Sequence, residues 1–310
     1  MARRTHCVAA SIAIFVASAA VSAHSQAPSK PRIAFTSWRD GDAQIYTMDV
    51  DGGSVRRLTS KGRNIEPAWS PDGSKIAFTS NRDGAYVLHV MDADGSNAVA
   101  LPGRIRGLDP AWSPDGGRLA YGTRQGTYQI WTVGSDGKGA RRLSNDAAQD
   151  WGPSWSPSGD DVVFAASDWL VVADVESGDT HHVWPLGQAK WPDWGPDGAG
   201  IAAQEYLPSD IIVVDPHSGT ARNVTKTAAR DARPAWSPDG ARLVFDSFDR
   251  GDWNVWRVRA DGAEREQLTR HPLADYEPDW FDPAVLPVSS PLQELATWGW
   301  MKTFGARVLR

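Results

Sequence analysis

Short apolar runs separated by polar turns follow one another along the chain from residue 32 onward. The runs are about four to seven residues long and rich in Val, Ile, Phe, Tyr and Trp, and the turns contain Asp-Gly or Pro-Asp-Gly. Runs of this kind predict β-strands, because an amphipathic helix needs a longer segment with a 3.6-residue period. Pro, Asp and Gly favour turns, since Pro fixes φ, Asp bonds the local backbone and Gly accepts positive φ. The pattern therefore predicts an all-β protein.

A tryptophan-centred motif recurs at nearly regular intervals. It reads EPAWSPDG, DPAWSPDG, GPSWSPSG, WPDWGPDG and RPAWSPDG, and a sixth copy, EPDWFDPA, keeps the beginning. The motif tryptophans, 39 to 44 residues apart, are Trp69, Trp112, Trp155, Trp194, Trp236 and Trp280. Four strands in a repeat of this length are typical of one blade of a β-propeller. We interpret the tryptophans as structural contacts between blades, because each can bury a large apolar area.

The two ends of the repeat region complement each other. The segment Arg32–Ser37 corresponds to the second strand of a repeat, and Tyr276–Phe281 is a first strand with no repeat after it. We predict a six-bladed β-propeller of four-stranded antiparallel blades over residues 32–283, closed by pairing of the C-terminal strand with the N-terminal strands. Such closure removes the exposed sheet edges that the alternative, an open solenoid, would leave.

The repeat resembles that of the TolB-type propellers, a branch of the WD-repeat-like propellers common in bacterial envelope proteins. The resemblance is carried by WSPDG, an apolar strand, an RDG-like turn, a strand ending in Met-Asp or Val-Asp, and RRLT, and it covers residues 32–283. It implies a propeller-only exported protein that lacks the N-terminal α/β domain of TolB, so that the partner contacts of that domain cannot be transferred. The ending Trp298–Lys302 is also similar to endings found in such proteins.

The N-terminal segment is typical of a signal peptide. Arg3 and Arg4 precede an apolar stretch over 7–21, and Val21-Ser22-Ala23 provides small residues for a signal peptidase. We predict a signal peptide over 1–23, a linker over 24–31 and a periplasmic or secreted protein with no membrane span after cleavage. The alternative is an uncleaved membrane anchor, since the apolar stretch is nearly long enough to span a bilayer.

Composition and missing motifs argue against several functions. The net charge of −6 argues against a nucleic-acid partner. The one cysteine, Cys7, lies in the predicted leader, so the mature chain has neither a disulfide nor a thiol nucleophile. No G-x-S-x-G elbow is present, and the 27 residues after Pro283 cannot hold a hydrolase domain. We therefore predict a monomeric protein that is not an enzyme and has no cofactor. The tail, 284–310, is expected to pack on the propeller, either as a helix capped by Ser290 or in extended form.

No metal site is predicted either. Two D-x-D-G segments beginning at Asp49 and Asp92 resemble calcium loops, but Ser60 and Gly103 occupy the position where an EF-hand needs Glu. They are interpreted as hairpin turns. His181 and His182 are adjacent on a strand and point to opposite faces, which does not suit one zinc site. The isolated histidines His89, His217 and His271 are interpreted as packing or surface residues.

Charged residues recur where the first strand of each blade enters the channel mouth. On the period-two pattern, the third and fifth positions before each motif tryptophan share a face. The residues at these positions that we predict to bind a partner are Glu66, Asp109, Asp150, Trp191, Asp231, Arg233, Asp275 and Glu277. Six of them are acidic, so the mouth is expected to carry a net negative charge.

Three interpretations of this mouth stay open. The charges could be solvated rim residues and local caps. They could capture a basic segment of a protein or peptide partner, or a cation, because clustered carboxylates on low-dielectric walls attract cations. We predict capture of a protein or peptide partner by a non-catalytic envelope scaffold. The alternative is a propeller enzyme, a polysaccharide lyase, a glycosidase or a peptidase-related protein, using paired carboxylates such as Asp231 and Glu277.

Overall fold

The described part of the chain consists of short antiparallel strands. The structure, a computed structural model, describes residues 26–125, 127–144, 149–167, 169–185, 190–205, 209–249 and 251–285. The strands of the first three blades are β1 Arg32–Ser37, β2 Gln44–Asp49, β3 Arg56–Arg57, β4 Asn64–Trp69, β5 Lys75–Ser80, β6 Val87–Asp92, β7 Val99–Ala100, β8 Leu108–Trp112, β9 Arg118–Gln125, β10 Thr127–Gly134 and β11 Arg141–Arg142. Those of the other three, with the closing strand last, are β12 Asp150–Trp155, β13 Asp161–Ala166, β14 Trp169–Asp174, β15 Thr180–Pro185, β16 Lys190–Trp194, β17 Ile201–Glu205, β18 Asp210–Val214, β19 Ala221–Asn223, β20 Arg230–Trp236, β21 Arg242–Asp249, β22 Asp252–Arg259, β23 Glu266–Gln267 and β24 Asp275–Phe281.

These strands form six sheets of four, which we number as blades. Blade 1 contains β24, β1, β2 and β3 in that order, and blades 2 to 6 contain four consecutive strands each, from β4–β7 to β20–β23. The closing pair is antiparallel, with Arg32 opposite Phe281 and Ser37 opposite Asp275. The predicted six-bladed fold and its closure by the C-terminal strand are therefore confirmed. No helix within the described ranges is long and apolar enough to cross a bilayer.

The hydrophobic core lies between the blades. Six clusters of buried apolar side chains are present, and each joins two neighbouring blades. The cluster between blades 1 and 2, for example, combines Ala34, Ile45 and Phe281 with Trp69 and Phe78. Because the six clusters include the one between blades 6 and 1, the ring is held together by apolar packing around its whole circumference.

The motif tryptophans contact the preceding blade, as their structural interpretation predicts. The indole N–H of Trp112 donates to the carbonyl of Ala68 at 3.2 Å, and that of Trp155 donates to Ala111 at 3.1 Å. The Pro-Asp-Gly segments form the predicted turns. In blade 2, Asp72 accepts hydrogen bonds from the Ser70 hydroxyl and the Ser74 N–H.

The outermost strands are shorter than the sequence pattern suggests. The predicted fourth strands, such as the one ending in RRLT, are reduced to the two-residue pairs β3, β7, β11 and β23 in four blades. Each has an unpaired edge facing outward, and short edge strands avoid pairing with other chains. The predicted leader, residues 24–25 of the predicted linker and nearly all of the predicted tail lie outside the described residues.

Candidate binding site in the channel

A channel with a cavity volume of about 300 Å³ runs along the axis of the propeller. Three successive positions of each first strand line it. At the end where the first strands begin is the mouth ring, Glu66, Asp109, Gly152, Trp191, Arg233 and Glu277. Next comes a ring of prolines, Pro67, Pro110, Pro153, Pro192, Pro234 and Pro278. The third position forms the inner ring, Ala68, Ala111, Ser154, Asp193, Ala235 and Asp279.

All six mouth-ring residues have left-handed backbone conformations. Their φ angles lie between 48° and 58°, although only Gly152 is a glycine. The pairing of each first strand with its neighbour shifts register at this point, so every blade has a β-bulge here. Left-handed backbone costs roughly 1 kcal/mol or more for a residue with a Cβ, and such strain collects at functional sites. The bulge places one side chain per blade at the channel entrance.

Hydrogen bonds connect the acidic mouth residues from blade to blade. The Glu277 carboxylate accepts from the backbone N–H of Glu66 at 3.0 Å and from the Thr36 hydroxyl at 2.6 Å. The Glu66 carboxylate in turn accepts from the N–H of Asp109 at 2.7 Å and from the Thr79 hydroxyl at 2.8 Å. Each of these carboxylates therefore accepts a hydrogen bond from the left-handed backbone of the next blade, and together they form one continuous arc.

The arc continues to blade 4 and stops there. Asp109 accepts a hydrogen bond from the N–H of Gly152, which has no side chain with which to extend the arc. A Cβ on Gly152 would lie 2.9 Å from the Cα of Trp191, so the indole residue of blade 5 occupies that space. The acidic half of the mouth is thus formed by blades 1 to 3.

The clustered carboxylates hold protons more tightly than isolated ones. Burial, followed by repulsion from Asp109 and Glu277, raises the pKa of Glu66 well above its ordinary value. Burial, with repulsion from Glu277, raises the pKa of Asp109 to about 6. A cation placed between these groups would relieve the repulsion and favour their ionised form.

Arg233 closes the ring on the opposite side. Its guanidinium donates to Asp246 on β21 at 3.3 Å, and its Nε lies 3.8 Å from Glu277. It also lies over the ring of Trp191, 4.2 Å from the centroid. Burial opposes its charge, but attraction to the carboxylates of Asp246 and Glu277 outweighs this and raises the pKa of Arg233 above its ordinary value.

Deeper in the channel, two half-buried aspartates accept hydrogen bonds from neighbouring blades. Asp279 accepts from the N–H of Trp69, and Asp193 accepts from the N–H of Trp236 and the hydroxyl of Ser154. Burial raises the pKa of Asp279 to about 7 and that of Asp193 to about 6, and the two carboxylates repel each other. The inner ring is therefore a second site of proton uptake near neutral pH.

Neutralising Asp279 is expected to stabilise the protein in alkaline solution. Its carboxyl stays protonated in the folded state up to about pH 7 but ionises near 3.8 in the unfolded chain, so wild-type stability falls as pH rises between these values. Asp279→Asn keeps an oxygen for the Trp69 N–H and removes this loss. Its advantage in urea unfolding should grow by roughly 2–3 kcal/mol between pH 5 and pH 8.

Asp72→Asn provides the matched control with the opposite sign. Burial raises the pKa of Asp72, but hydrogen bonds from Ser70 and Ser74 outweigh burial and leave the pKa below its ordinary value. Neutralising this residue should therefore destabilise the protein once the pH exceeds the unfolded-state pKa. An Asp279→Asn advantage that is the same at pH 5 and pH 8 would contradict the assignment of a raised pKa to Asp279.

The structure brings together five of the eight residues predicted for the mouth. Glu66, Asp109, Trp191, Arg233 and Glu277 all line the channel. The other three, Asp150, Asp231 and Asp275, are fully buried and are not among its lining residues.

The period-two pattern misplaces these three because the bulge interrupts the alternation two residues further along. Two of them have structural ion pairs instead. Asp275 binds the guanidinium of Arg39, at 3.1 and 3.2 Å, and Asp231 binds that of Arg265 at 3.2 Å. Because Asp231 does not face the channel, the particular pair Asp231 and Glu277 named for an enzyme is not brought together there.

Sequence reasoning missed the second-strand and inner-ring side chains. Thr36, Thr79 and Asp246 support the mouth from β1, β5 and β21, and Asp193 and Asp279 lie one position before motif tryptophans. A signal for the last two is present, because Asp replaces the usual Ala of Pro-Ala-Trp in those two copies.

The segments considered for metal binding have other roles. The D-x-D-G segments form hairpin turns, in which the N–H of Gly52 donates to the carbonyl of Asp49 and that of Gly95 to Asp92. His89 is buried, and its Nδ1 lies 3.0 Å from the carbonyl of Val87. Within the described ranges, no three His, Cys, Asp or Glu side chains are arranged to hold a metal ion.

Comparison with known proteins agrees with this architecture. The family model described as the TolB beta propeller domain matches residues 9–105. The structure of TolB from Acinetobacter baumannii superposes with a TM-score of 0.73 at 21% identity, covering 80% of this chain and 66% of that one. The chain is a six-bladed β-propeller whose N-terminal part is similar to the TolB beta propeller domain. A candidate TolB from Agrobacterium tumefaciens gives a TM-score of 0.64 at 21% identity, covering 81% and 98%.

One curated relative is similar to this chain over part of its length. An uncharacterized protein of Agrobacterium fabrum is 32% identical over 202 residues, which are 60% of this chain. The match spans 55% of that protein's length, so the chain corresponds to about half of it.

Proposed function

We propose that this TolB-like propeller is an exported, non-catalytic scaffold of the cell envelope that captures a basic segment of a protein partner at the mouth ring. The observation that carries the proposal is the acidic arc, in which Glu66, Asp109 and Glu277 converge at one end of the channel. Export rests on the leader predicted over 1–23, and envelope location is consistent with the resemblance to TolB.

A cationic partner fits the energetics of this arc. The pKa values of Glu66 and Asp109 are raised because burial and mutual repulsion disfavour their charges. A Lys or Arg side chain entering the mouth would supply the missing positive charge in a partly dehydrated site, where ion pairs are stronger than in water. The carboxylates are already held by backbone and threonine donors, so little ordering is required on binding.

Replacing the three carboxylates by their amides should weaken binding of a cationic peptide. With hexa-arginine as the probe, the variant Glu66→Gln/Asp109→Asn/Glu277→Gln is expected to lose at least about tenfold in affinity at low salt, or about 1.4 kcal/mol. Its binding should also depend less on salt, which screens charge interactions. Calorimetric titration at several salt concentrations measures both effects.

A charge-matched variant distinguishes the mouth from the general negative charge of the protein. Asp51→Asn/Glu176→Gln/Asp197→Asn removes the same three charges from exposed positions at the opposite end of the propeller. It should bind hexa-arginine like the wild type. The mouth triple variant is expected to remain folded, since each amide keeps an acceptor oxygen for the next blade. Equal losses in the two triple variants would refute capture at the mouth.

A second candidate function is a carboxylate-dependent enzyme acting on a polysaccharide. The coupled carboxyls of Glu66 and Asp109, both with raised pKa values, favour it, because perturbed neighbouring acids are typical of general acid–base pairs. An enzyme would release new chain ends or unsaturated products from an acidic or neutral polysaccharide, and the mouth triple variant would not. Binding of hexa-arginine without any turnover supports the scaffold.

A further inference from the structure

A second cleft adjoins the mouth on the side opposite the acidic arc. It has a volume of about 490 Å³ and lies between blades 5 and 6. Its wall shares Trp191 and Arg233 with the channel and adds Lys190, Gln204, Arg230 and Trp253. We call it the basic cleft.

The basic cleft carries positive charge that is not neutralised within the protein. Neither Lys190 nor Arg230 has a carboxylate partner among the described residues. Arg233, the third cation, is paired with Asp246 and Glu277 on its channel side. Lys190 lies over the Trp191 ring, 5.7 Å from its centroid, which leaves its charge without a counter-ion within the described ranges. Two cations without a carboxylate partner around a concave surface favour an anionic ligand, and guanidinium binds carboxylate in a preferred planar geometry.

Aromatic rings provide the apolar walls of this cleft. Trp253 contacts the tilted rings of Phe248 and Tyr276, at centroid distances of 5.5 and 6.1 Å. On the other side, the indole of Trp191 is covered by the Arg233 guanidinium. Trp253 is only half-buried, so part of a large flat side chain is available to a ligand.

A buried amide in the cleft wall lacks a partner. Gln204 is 8% exposed, and its Nε2 donates to the Ser209 hydroxyl at 3.0 Å. Its Oε1 has no hydrogen-bond donor among the described residues. At the corresponding position of blades 1 and 6, Thr36 and Asp246 accept a backbone N–H of the next blade. An unsatisfied buried acceptor costs free energy, which a ligand hydroxyl or a small movement of Gln204 toward a ligand would recover.

We propose that the basic cleft binds an acidic saccharide of the uronate class. The carboxylates of such a chain would bind Lys190 and Arg230, a sugar face would stack on Trp253, and a ring hydroxyl would donate to Gln204. This ligand class has three features that complement the cleft: negative charge for its cations, a flat apolar face for its indole ring and hydroxyl donors for its unpaired acceptor. The site is separate from the acidic arc, so it stands whether or not the arc captures a basic segment.

The matched probes are trimannuronate, which carries a carboxylate on each sugar, and mannotriose, which has none. The protein without the predicted leader should bind trimannuronate saturably, and binding should change its tryptophan fluorescence. Its affinity for trimannuronate should be at least roughly tenfold higher than its affinity for mannotriose. Lys190→Met/Arg230→Met should reduce trimannuronate affinity at least roughly tenfold. Trp253→Leu should weaken binding of the saccharide and remove part of the fluorescence change.

The control variant Arg56→Met/Lys138→Met removes one Arg and one Lys from the opposite end of the propeller and should bind trimannuronate like the wild type. Lys190 and Arg230 make no ion pair among the described residues, so their variant is expected to stay folded, and urea unfolding of the variant checks this. The proposal is overturned if trimannuronate and mannotriose bind equally, if neither binds, or if hexaglutamate competes better than trimannuronate. The variant Glu66→Gln/Asp109→Asn/Glu277→Gln should still bind trimannuronate. Failure of the scaffold proposal would therefore appear in hexa-arginine binding, and failure of this proposal would appear in trimannuronate binding.

Discussion

Removing the closing strand is expected to abolish cooperative unfolding of the propeller. A chain ending at Ala274 lacks β24, and with it the contacts of Trp280 and Phe281 with the clusters on both sides of blade 1. Loss of a buried Trp or Phe side chain costs about 3–5 kcal/mol each, which is comparable to the whole stability of many domains. The loss would also leave β1 as an open sheet edge, because β24 is its hydrogen-bonded neighbour on that side. Urea unfolding followed by near-ultraviolet circular dichroism measures the loss.

A chain ending at Val285 is the first control, because it retains β24 and should unfold cooperatively. A rescue variant provides the second. In the chain ending at Ala274, residues 275–281 followed by Pro-Asp-Gly-Ser are inserted between Pro31 and Arg32. The added turn copies the segment Pro71–Ser74 of blade 2 and brings Trp280 opposite Ile33, as in the native pair. If the rescue variant remained unfolded while the Val285 chain folded, closure by this strand would not be the reason for stability.

Replacement of Arg233 should be the most damaging single substitution in the channel. Arg233→Met leaves the fully buried Asp246 without its cation and removes the nearest positive charge from Glu277. Breaking a buried pair from one side typically costs about 3–5 kcal/mol, because an uncompensated charge stays behind. The cost should shrink at pH 5, since burial raises the pKa of Asp246 to about 7 and the unpaired carboxyl can then be protonated. Urea unfolding at pH 5 and pH 8 measures both the cost and its pH dependence.

Two further variants define the cause of this loss. Arg233→Met/Asp246→Asn removes both charges while an amide oxygen remains for the Glu277 N–H, so it should recover much of the stability lost at pH 8. Lys138→Met deletes a cation from an ion pair that is largely exposed, and no measurable change is expected. A loss for Arg233→Met that is equal at both pH values and not recovered by Asp246→Asn would show that packing against Trp191, rather than charge, is responsible.

The architecture of this protein could be predicted from its sequence because the same strand and turn motif occurs six times. Six copies of Pro-x-Trp define the first strands, and the unpaired segments at 32–37 and 276–281 define the closure. Each copy supports the same assignment, so an irregular copy such as the one around Trp194 does not alter it. Repeated turn residues also identify the turns between strands, although the fourth strands are shorter than the pattern suggests.

The site was predicted only in part, because its geometry depends on a feature that strand periodicity does not contain. Alternation assigns Glu277 and Asp275 to one face, but the bulge at Glu277 separates them, and Asp275 pairs with Arg39 inside the blade. The left-handed backbone of a residue followed by proline has no simple sequence signal when that residue is Glu or Arg. The supporting role of Asp246 depends on contact between blades, which is a tertiary property.

The central claim, that the acidic arc captures cations, is tested most directly by the pH dependence of hexa-arginine binding at constant salt. With its N-terminus acetylated, the peptide keeps its charge throughout, so a change in affinity between pH 5 and pH 8 reports on the protein. Because the pKa of Asp109 is raised to about 6 and that of Glu66 is also raised, the wild type should bind more tightly as pH rises through this range. The Glu66→Gln/Asp109→Asn/Glu277→Gln variant should show a clearly smaller increase, because Asp193 and Asp279, which still lose protons in this range, lie deeper in the channel. Equal pH dependence in the wild type and the triple variant would contradict the claim.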